Sequence, residues 1–195
     1  MRSEVPMREL LLAFAVLLVP LSAAATFHLW QIVEVYSNAD GSVQYIELFT
    51  NTNLQNQLTS HYLKSNANTF IFPNDLPNNQ TANQHFLVAT PAFASKCGAA
   101  PPDYTFAAAN FHSLVMDTLD FAGVDTFAYS SGQLPTDGYY ALHEDFGLEN
   151  PTKKANSPTN YAGQVCLPEP SAWLMRVAGL AGVLGLDPWR RRRVR

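Results

Sequence analysis

From Phe27 to Gln164 the apolar residues come in short runs of strand length, each closed by Pro, Gly, Asn, Asp or Ser. No long stretch there carries a 3.6-residue apolar period, so nothing calls for an amphipathic helix. The body is rich in Thr, Asn, Phe, Tyr and Val, residues that suit pleated, half-buried strands and the turns between them. An all-β sandwich or barrel is the expected fold class. The spacing predicts strands over 27–36, 43–50, 69–72, 85–90, 111–116, 118–121 and 126–129, with 139–142 a further candidate. It also predicts one helical turn over 91–96 and a polar connection over 51–68. Turn-forming residues fill 37–42, so the first two strands form a hairpin. Closing it with Tyr36 opposite Val43 sets Val33 against Ile46, with Val35 and Leu48 on the same side. Glu34 and Glu47 then fall together on the other face, among Ile32, Tyr45 and Phe49, as diagonal neighbours about 7–8 Å apart.

Charge is divided unevenly. Between Thr26 and Pro170 there are four Lys and no Arg against thirteen Asp and Glu, a net of −9. An acidic body lacks the basic footprint of a nucleic-acid binder; it suits solubility, divalent cations or a neutral sugar partner. The N-terminus has the parts of a secretory signal. Arg2 and Arg8 are its basic region, Leu10 to Leu21 its apolar region and Ala23-Ala24-Ala25 its small-residue cleavage site, with Ala23 and Ala25 as the recognition positions. Residues 1–25 are thus expected to be a signal helix, 26–165 the folded body and 166–195 a separate C-terminal segment. An uncleaved anchor is the alternative at the N-terminus, but a run of that length is short for spanning. The two cysteines, Cys97 and Cys166, form no CxxC. A disulfide between them is plausible in an oxidising compartment, and two unpaired thiols are the alternative.

The C-terminal segment runs Pro168-Glu169-Pro170-Ser171, an apolar stretch Ala172 to Leu186, Asp187-Pro188-Trp189, then Arg190, Arg191, Arg192 and Arg193. A helix over 172–186 would reach only ~22 Å, short of a hydrocarbon core about 30 Å thick. Extension from Ser171 through Trp189 closes most of that gap and sets Trp173 and Trp189 near the interfaces. Arg176 would snorkel towards headgroups, and the Arg cluster would stay cytoplasmic as a stop-transfer signal. A transmembrane helix is expected here.

This order resembles the PEP-CTERM sorting signal of exopolysaccharide-producing Gram-negative bacteria, on Pro168, Glu169, Pro170, Ser171, the span 172–186 and Arg190 to Arg193. The resemblance implies an exosortase-type membrane transpeptidase as partner. It also implies transient membrane anchoring followed by release to the cell surface or extracellular matrix. Arg176, the short span and the Asp187-Pro188 break depart from the pattern; an ordinary C-terminal membrane anchor is the alternative. The body resembles the lamin-tail domain, an immunoglobulin-like β-sandwich. The matching stretches are Ile32-Val33-Glu34-Val35-Tyr36, Tyr45-Ile46-Glu47-Leu48-Phe49, Phe70-Ile71-Phe72-Pro73, Phe86-Leu87-Val88-Ala89, Leu119-Asp120-Phe121 and Asp125-Thr126-Phe127-Ala128-Tyr129. Ser157-Pro158-Thr159-Asn160 matches the family's closing turn. Val33 and Thr50 stand where the family often has Asn. Membership would imply a binding or structural module, with no catalytic residue and no cofactor.

The residues themselves signal little catalysis. His28, His61, His85, His112 and His143 show neither HxH nor HxxxH spacing, so no zinc-type site is indicated. No nucleophile elbow or phosphate-cradling glycine loop occurs. Glu34 and Glu47 are the sharpest constellation: two carboxylates that could ligate Ca²⁺ or do acid–base work, or else bond neighbouring loop backbone as part of the fold. The structural role is the stronger reading. Asp117, Asp120 and Asp125 lack the order of a calcium loop and read as solvated strand-end acids. Tyr104, Tyr139 and Tyr140 could stack on sugar rings, but aromatics in a sandwich are more often core. Two functions are therefore in view. One is an exported non-enzymatic surface or matrix protein associated with extracellular polysaccharide. The other is a secreted hydrolase or calcium-dependent carbohydrate-binding protein using Glu34 and Glu47.

Overall fold

The computed structural model describes residues 26–96, 101–146 and 150–165. The expected signal segment with Ala23 and Ala25, both cysteines, the Pro168–Pro170 motif, the apolar span and the Arg cluster lie outside the described residues. Among the described residues no helix is long and apolar enough to cross a membrane.

Ten strands and one short helix make up the body: β1 (Gln31–Ser37), β2 (Gln44–Thr50), β3 (Tyr62–Lys64), β4 (Thr69–Ile71), β5 (Gln84–Ala89), α1 (Pro91–Lys96), β6 (Tyr104–Thr105), β7 (Asp117–Phe121), β8 (Asp125–Tyr129), β9 (Tyr140–His143) and β10 (Thr152–Ala155). They form a six-stranded sheet in the order β10-β9-β1-β2-β5-β6 and a four-stranded sheet in the order β4-β3-β7-β8. All pairings are antiparallel except β5 with β6. The expected all-β class is what the body shows. The core lies between the sheets. Ile32, Val35, Ile46, Leu48, Phe86 and Val88 from the larger sheet pack with Leu63, Leu119, Phe121 and Phe127 from the smaller one, around Trp30 and Phe72. Trp30 is fully buried, and its indole N–H donates to the Gln55 carbonyl at 2.6 Å, so the ring enters the core without an orphaned donor. A second apolar layer (Tyr36, Tyr45, Leu87, Ala89, Ala141) covers part of the outer face of the larger sheet, where Phe93 of α1 packs on it.

The structure corrects the hairpin register. Tyr36 pairs with Tyr45 rather than meeting Val43, and Val35 with Ile46, a register set from the turn; a bulge at Val33 then shifts the ladder by one residue, so that Ile32 pairs with Leu48. A bulge inserts one residue and reverses the alternation beyond it. Ile32 therefore joins Val35 in the core, while Val33 leaves it and its carbonyl accepts the Glu144 N–H at 2.9 Å. Residues 111–116 form no strand: Phe111 is buried and stacked on Phe106, and the segment then turns around Ser113. Strand β3 arises within the segment read as a polar connection, and β6 and β10 in stretches where no strand is predicted. Each is short and carries too little apolar alternation to stand out, and each is held by a partner distant in sequence or by an edge position.

Candidate functional site

The β1–β2 register makes Glu34 and Glu47 direct cross-strand partners, not diagonal ones. Glu34 also pairs with His143 of β9, and Glu47 with Leu87 of β5. One row across the outer face of the larger sheet thus reads His143, Glu34, Glu47, Leu87. In the next row Phe49 lies opposite His85. Both carboxylates are only 2 % exposed, a position that demands partners.

Those partners come from the protein itself. Glu34 accepts the Tyr45 hydroxyl, the Ser157 N–H at 2.9 Å and the Ser157 hydroxyl at 3.2 Å. His143 Nε2 stands 3.6 Å away. Glu47 accepts the Thr159 N–H at 2.7 Å and faces His85 Nδ1. The sequence placed neither histidine at this site, because each arrives on a different strand, and cross-strand adjacency leaves no spacing to read. A third acid joins them. Asp103, just before β6, accepts the Leu87 N–H at 2.8 Å and the Tyr161 N–H at 2.9 Å. The segment 157–161 lies over the row as a strap, with Pro158 buried beneath it.

Burial is the main influence on all three acids. It raises Glu34, helped by repulsion from Glu47 and opposed by His143, Tyr45 and the Ser157 N–H. It raises Glu47, with the hydrogen bond and charge of His85 and the Thr159 N–H opposing and Asp103 adding. It raises Asp103 against the Leu87 and Tyr161 N–H bonds. The Tyr45 hydroxyl, buried between the carboxylates' charges, is pushed up strongly.

No family model, no curated protein and no solved structure matches this chain. The site is therefore read from its own geometry.

Beside the strap an open cleft of about 370 Å³ is lined by Glu34, Glu47, Phe49, His85, His143 and Phe146, among others. A second depression of about 340 Å³ shares Val33, Glu144, Asp145 and Phe146 with it and continues past the bulge to Asp125. Among the described residues no three His, Cys, Asp or Glu side chains are placed to hold a metal ion together. Glu47 fixes His85 through Nδ1, so its other ring nitrogen is the one available to the cleft.

The remaining candidates separate in space. Asp117 is not a solvated strand-end acid: it is buried and accepts N–H bonds from Asn66, Ser113 and Thr118, each at 2.8 Å. It ties the loop after β3 to the turn before β7. Asp120 accepts the Gly123 N–H in the β7–β8 turn, and Asp125 accepts the Ile32 N–H across the sandwich. Tyr104 is core, bonded to the Asn74 carbonyl. Tyr139 and Tyr140 are 55 % and 37 % exposed, against the expectation of burial, and Lys153 stands over the Tyr140 ring at 4.1 Å. They precede or open β9 near the edge of the sheet, where no layer covers them.

Proposed function

We propose that this chain is an exported, non-enzymatic surface or extracellular-matrix protein whose body is a lamin-tail-like, immunoglobulin-like sandwich. Residues 1–25 direct export. Pro168, Glu169 and Pro170, with the apolar span and Arg190 to Arg193, direct handling by an exosortase-type membrane transpeptidase. Membrane anchoring is transient, and the released body associates with extracellular polysaccharide; nucleic acid is not a partner. The observation that carries the non-enzymatic reading is the occupation of Glu34 and Glu47. Their oxygens receive two strap amides, a serine and a tyrosine hydroxyl and a histidine, so both acids are committed to closing the fold. The Ser157-Pro158-Thr159-Asn160 turn, which carries part of the lamin-tail resemblance, is the segment they hold.

The test is the C-terminal peptide of mature protein recovered from a host that has the transpeptidase. Cleavage near Pro168 to Pro170, abolished by Glu169→Ala or by removal of 190–195, is the expected result. Peptides ending at Arg195 as the dominant species would reduce the segment to a plain anchor. The alternative of a calcium-dependent or hydrolytic site is checked by Ca²⁺ titration. A large rise in melting temperature that Glu47→Gln abolishes would favour it.

A further inference from the structure

Tyr139 and Tyr140 stand outside both apolar clusters of the sandwich, yet their place is fixed from several sides. The N–H groups of both residues donate to Asp137 Oδ1 at 2.9 Å, and Asp137 is bridged to Asn38 just past β1. The Tyr139 carbonyl accepts the Asn156 N–H at 3.0 Å and the Asn156 side-chain amide at 2.9 Å. The two rings meet edge to face, with 4.8 Å between centroids and 81° between planes. Lys153 stands over the Tyr140 ring and donates to Asp137 Oδ2 at 3.0 Å. Tyr140 is therefore the braced ring, and Tyr139, the more exposed of the two, is the one that offers a surface. A rigid, amphipathic ring ordered before binding loses little entropy when something stacks on it.

Charge narrows what that can be. Lys153 and Lys154, the cations of β10, are held by Asp137 and Asp145, so this corner carries no unbalanced positive charge. The segment from Thr26 to Pro170 has a net charge of −9, which repels a polyanion. A cation is turned away from Tyr140 by the ammonium already on it. A protein strand would have to add beside β10, and lysines on an edge strand act against such pairing. An uncharged sugar ring meets none of these obstacles. Its C–H face is apolar enough to cover a phenol ring, while its hydroxyls stay in water.

We propose that Tyr139, braced by Tyr140, Lys153 and Asp137, is the contact through which the body binds a neutral polysaccharide, one sugar ring stacking on the phenol. This rests on the reading that the body associates with extracellular polysaccharide, and adds to it the site and the uncharged class.

Affinity electrophoresis of the full-length protein tests it, in native gels cast with hydroxyethylcellulose, laminarin, galactomannan or glycogen as neutral probes and polygalacturonate as the anionic one. At least one neutral probe should retard the protein, and polygalacturonate should not. Tyr139→Ala should weaken that retardation roughly tenfold or more, whereas Tyr139→Phe, which keeps the ring, should stay within about threefold of wild type. Both variants change an exposed side chain, so urea unfolding should match wild type. Equal retardation of wild type and Tyr139→Ala by a neutral probe overturns the proposal and leaves the polysaccharide reading standing. Retardation by polygalacturonate alone overturns the uncharged class, and a loss in Tyr139→Phe as large as in Tyr139→Ala overturns the stacking. If no probe retards the protein, the proposal and the reading beneath it both fall. A dimer in sedimentation that Tyr139→Ala abolishes would assign the face to a second copy of the chain and also overturns the proposal.

Discussion

Glu34 accepts from a buried phenol and from a backbone amide, so substitutions there separate hydrogen bonding from charge. Glu34→Ala leaves both donors in a dry site, and an orphaned buried donor costs about 1–3 kcal/mol. The expected loss is about 3 kcal/mol, measured by urea unfolding of the full-length protein. Glu34→Gln keeps an acceptor and removes a charge whose burial is unfavourable, so it should stay within about 1 kcal/mol of wild type near pH 7. Equal losses in the two variants would mean that the charge, not the hydrogen bonding, holds the site together.

The β1–β2 hairpin turns at a position where an added side chain would meet a neighbour. Gly41 has φ +72°, and a Cβ there would come within 1.9 Å of Asn110 Oδ1. The Asn110 backbone N–H is bonded to the Gly41 carbonyl at 3.0 Å, so relief comes from rotation of the Asn110 side chain rather than from movement of its backbone. Gly132 has φ +81° but open space around it. Gly132→Ala should cost about 1 kcal/mol, the conformational penalty alone. Gly41→Ala should cost about 2–3 kcal/mol, the added part coming from displacement of Asn110. Chemical denaturation of the two variants gives the comparison, and equal costs would remove the steric account. The bulge at Val33 acts at the same scale: it puts Ile32 in the core while leaving Glu34 on the strap face, an exchange that strict alternation does not permit.

At the scale of the molecule, His112 joins the two sheets. Its Nε2 faces the Tyr36 carbonyl of β1 at 3.2 Å, its Nδ1 the Tyr129 hydroxyl of β8 at 2.9 Å, and its backbone N–H the Gln44 side chain of β2 at 3.2 Å. Both ring nitrogens face a carbonyl, Nε2 that of Tyr36 and Nδ1 that of Ser113 at 3.4 Å, and the Tyr129 hydroxyl donates to the Ser113 carbonyl. Burial lowers this histidine to about 4. As pH falls below the ordinary histidine value the unfolded chain takes up a proton that the folded ring refuses. The stability present at neutral pH is therefore lost progressively down to about pH 4. The full shift corresponds to about 3 kcal/mol. The raised acids beneath the strap act in the opposite direction over their own range, so the total pH profile mixes the two. The difference in unfolding free energy between wild type and His112→Gln isolates the histidine. It should shrink as pH falls from about 6.5 to about 4, and a difference independent of pH would refute the assignment.

What the sequence determined by itself was local. Alternation and turn chemistry mark β1, β2, β4, β5, β7, β8 and β9 to within a few residues, because pleat and turn preferences act between neighbours in the chain. The helical turn at Pro91–Lys96 was legible for the same reason, and so was the placing of Glu34 and Glu47 on one face. Tertiary structure decided the rest. The bulge at Val33 is fixed by pairing with β2 and by the Glu144 amide, not by any property of valine. Strand β10, Thr-Lys-Lys-Ala with every residue exposed, exists because β9 offers it an edge. The strap meets its carboxylates across 123 residues of chain at Glu34 and 112 at Glu47. Contacts so distant leave no spacing in a sequence, and only the assembled sheet brings the two histidines, Asp103 and the strap amides to the same two glutamates.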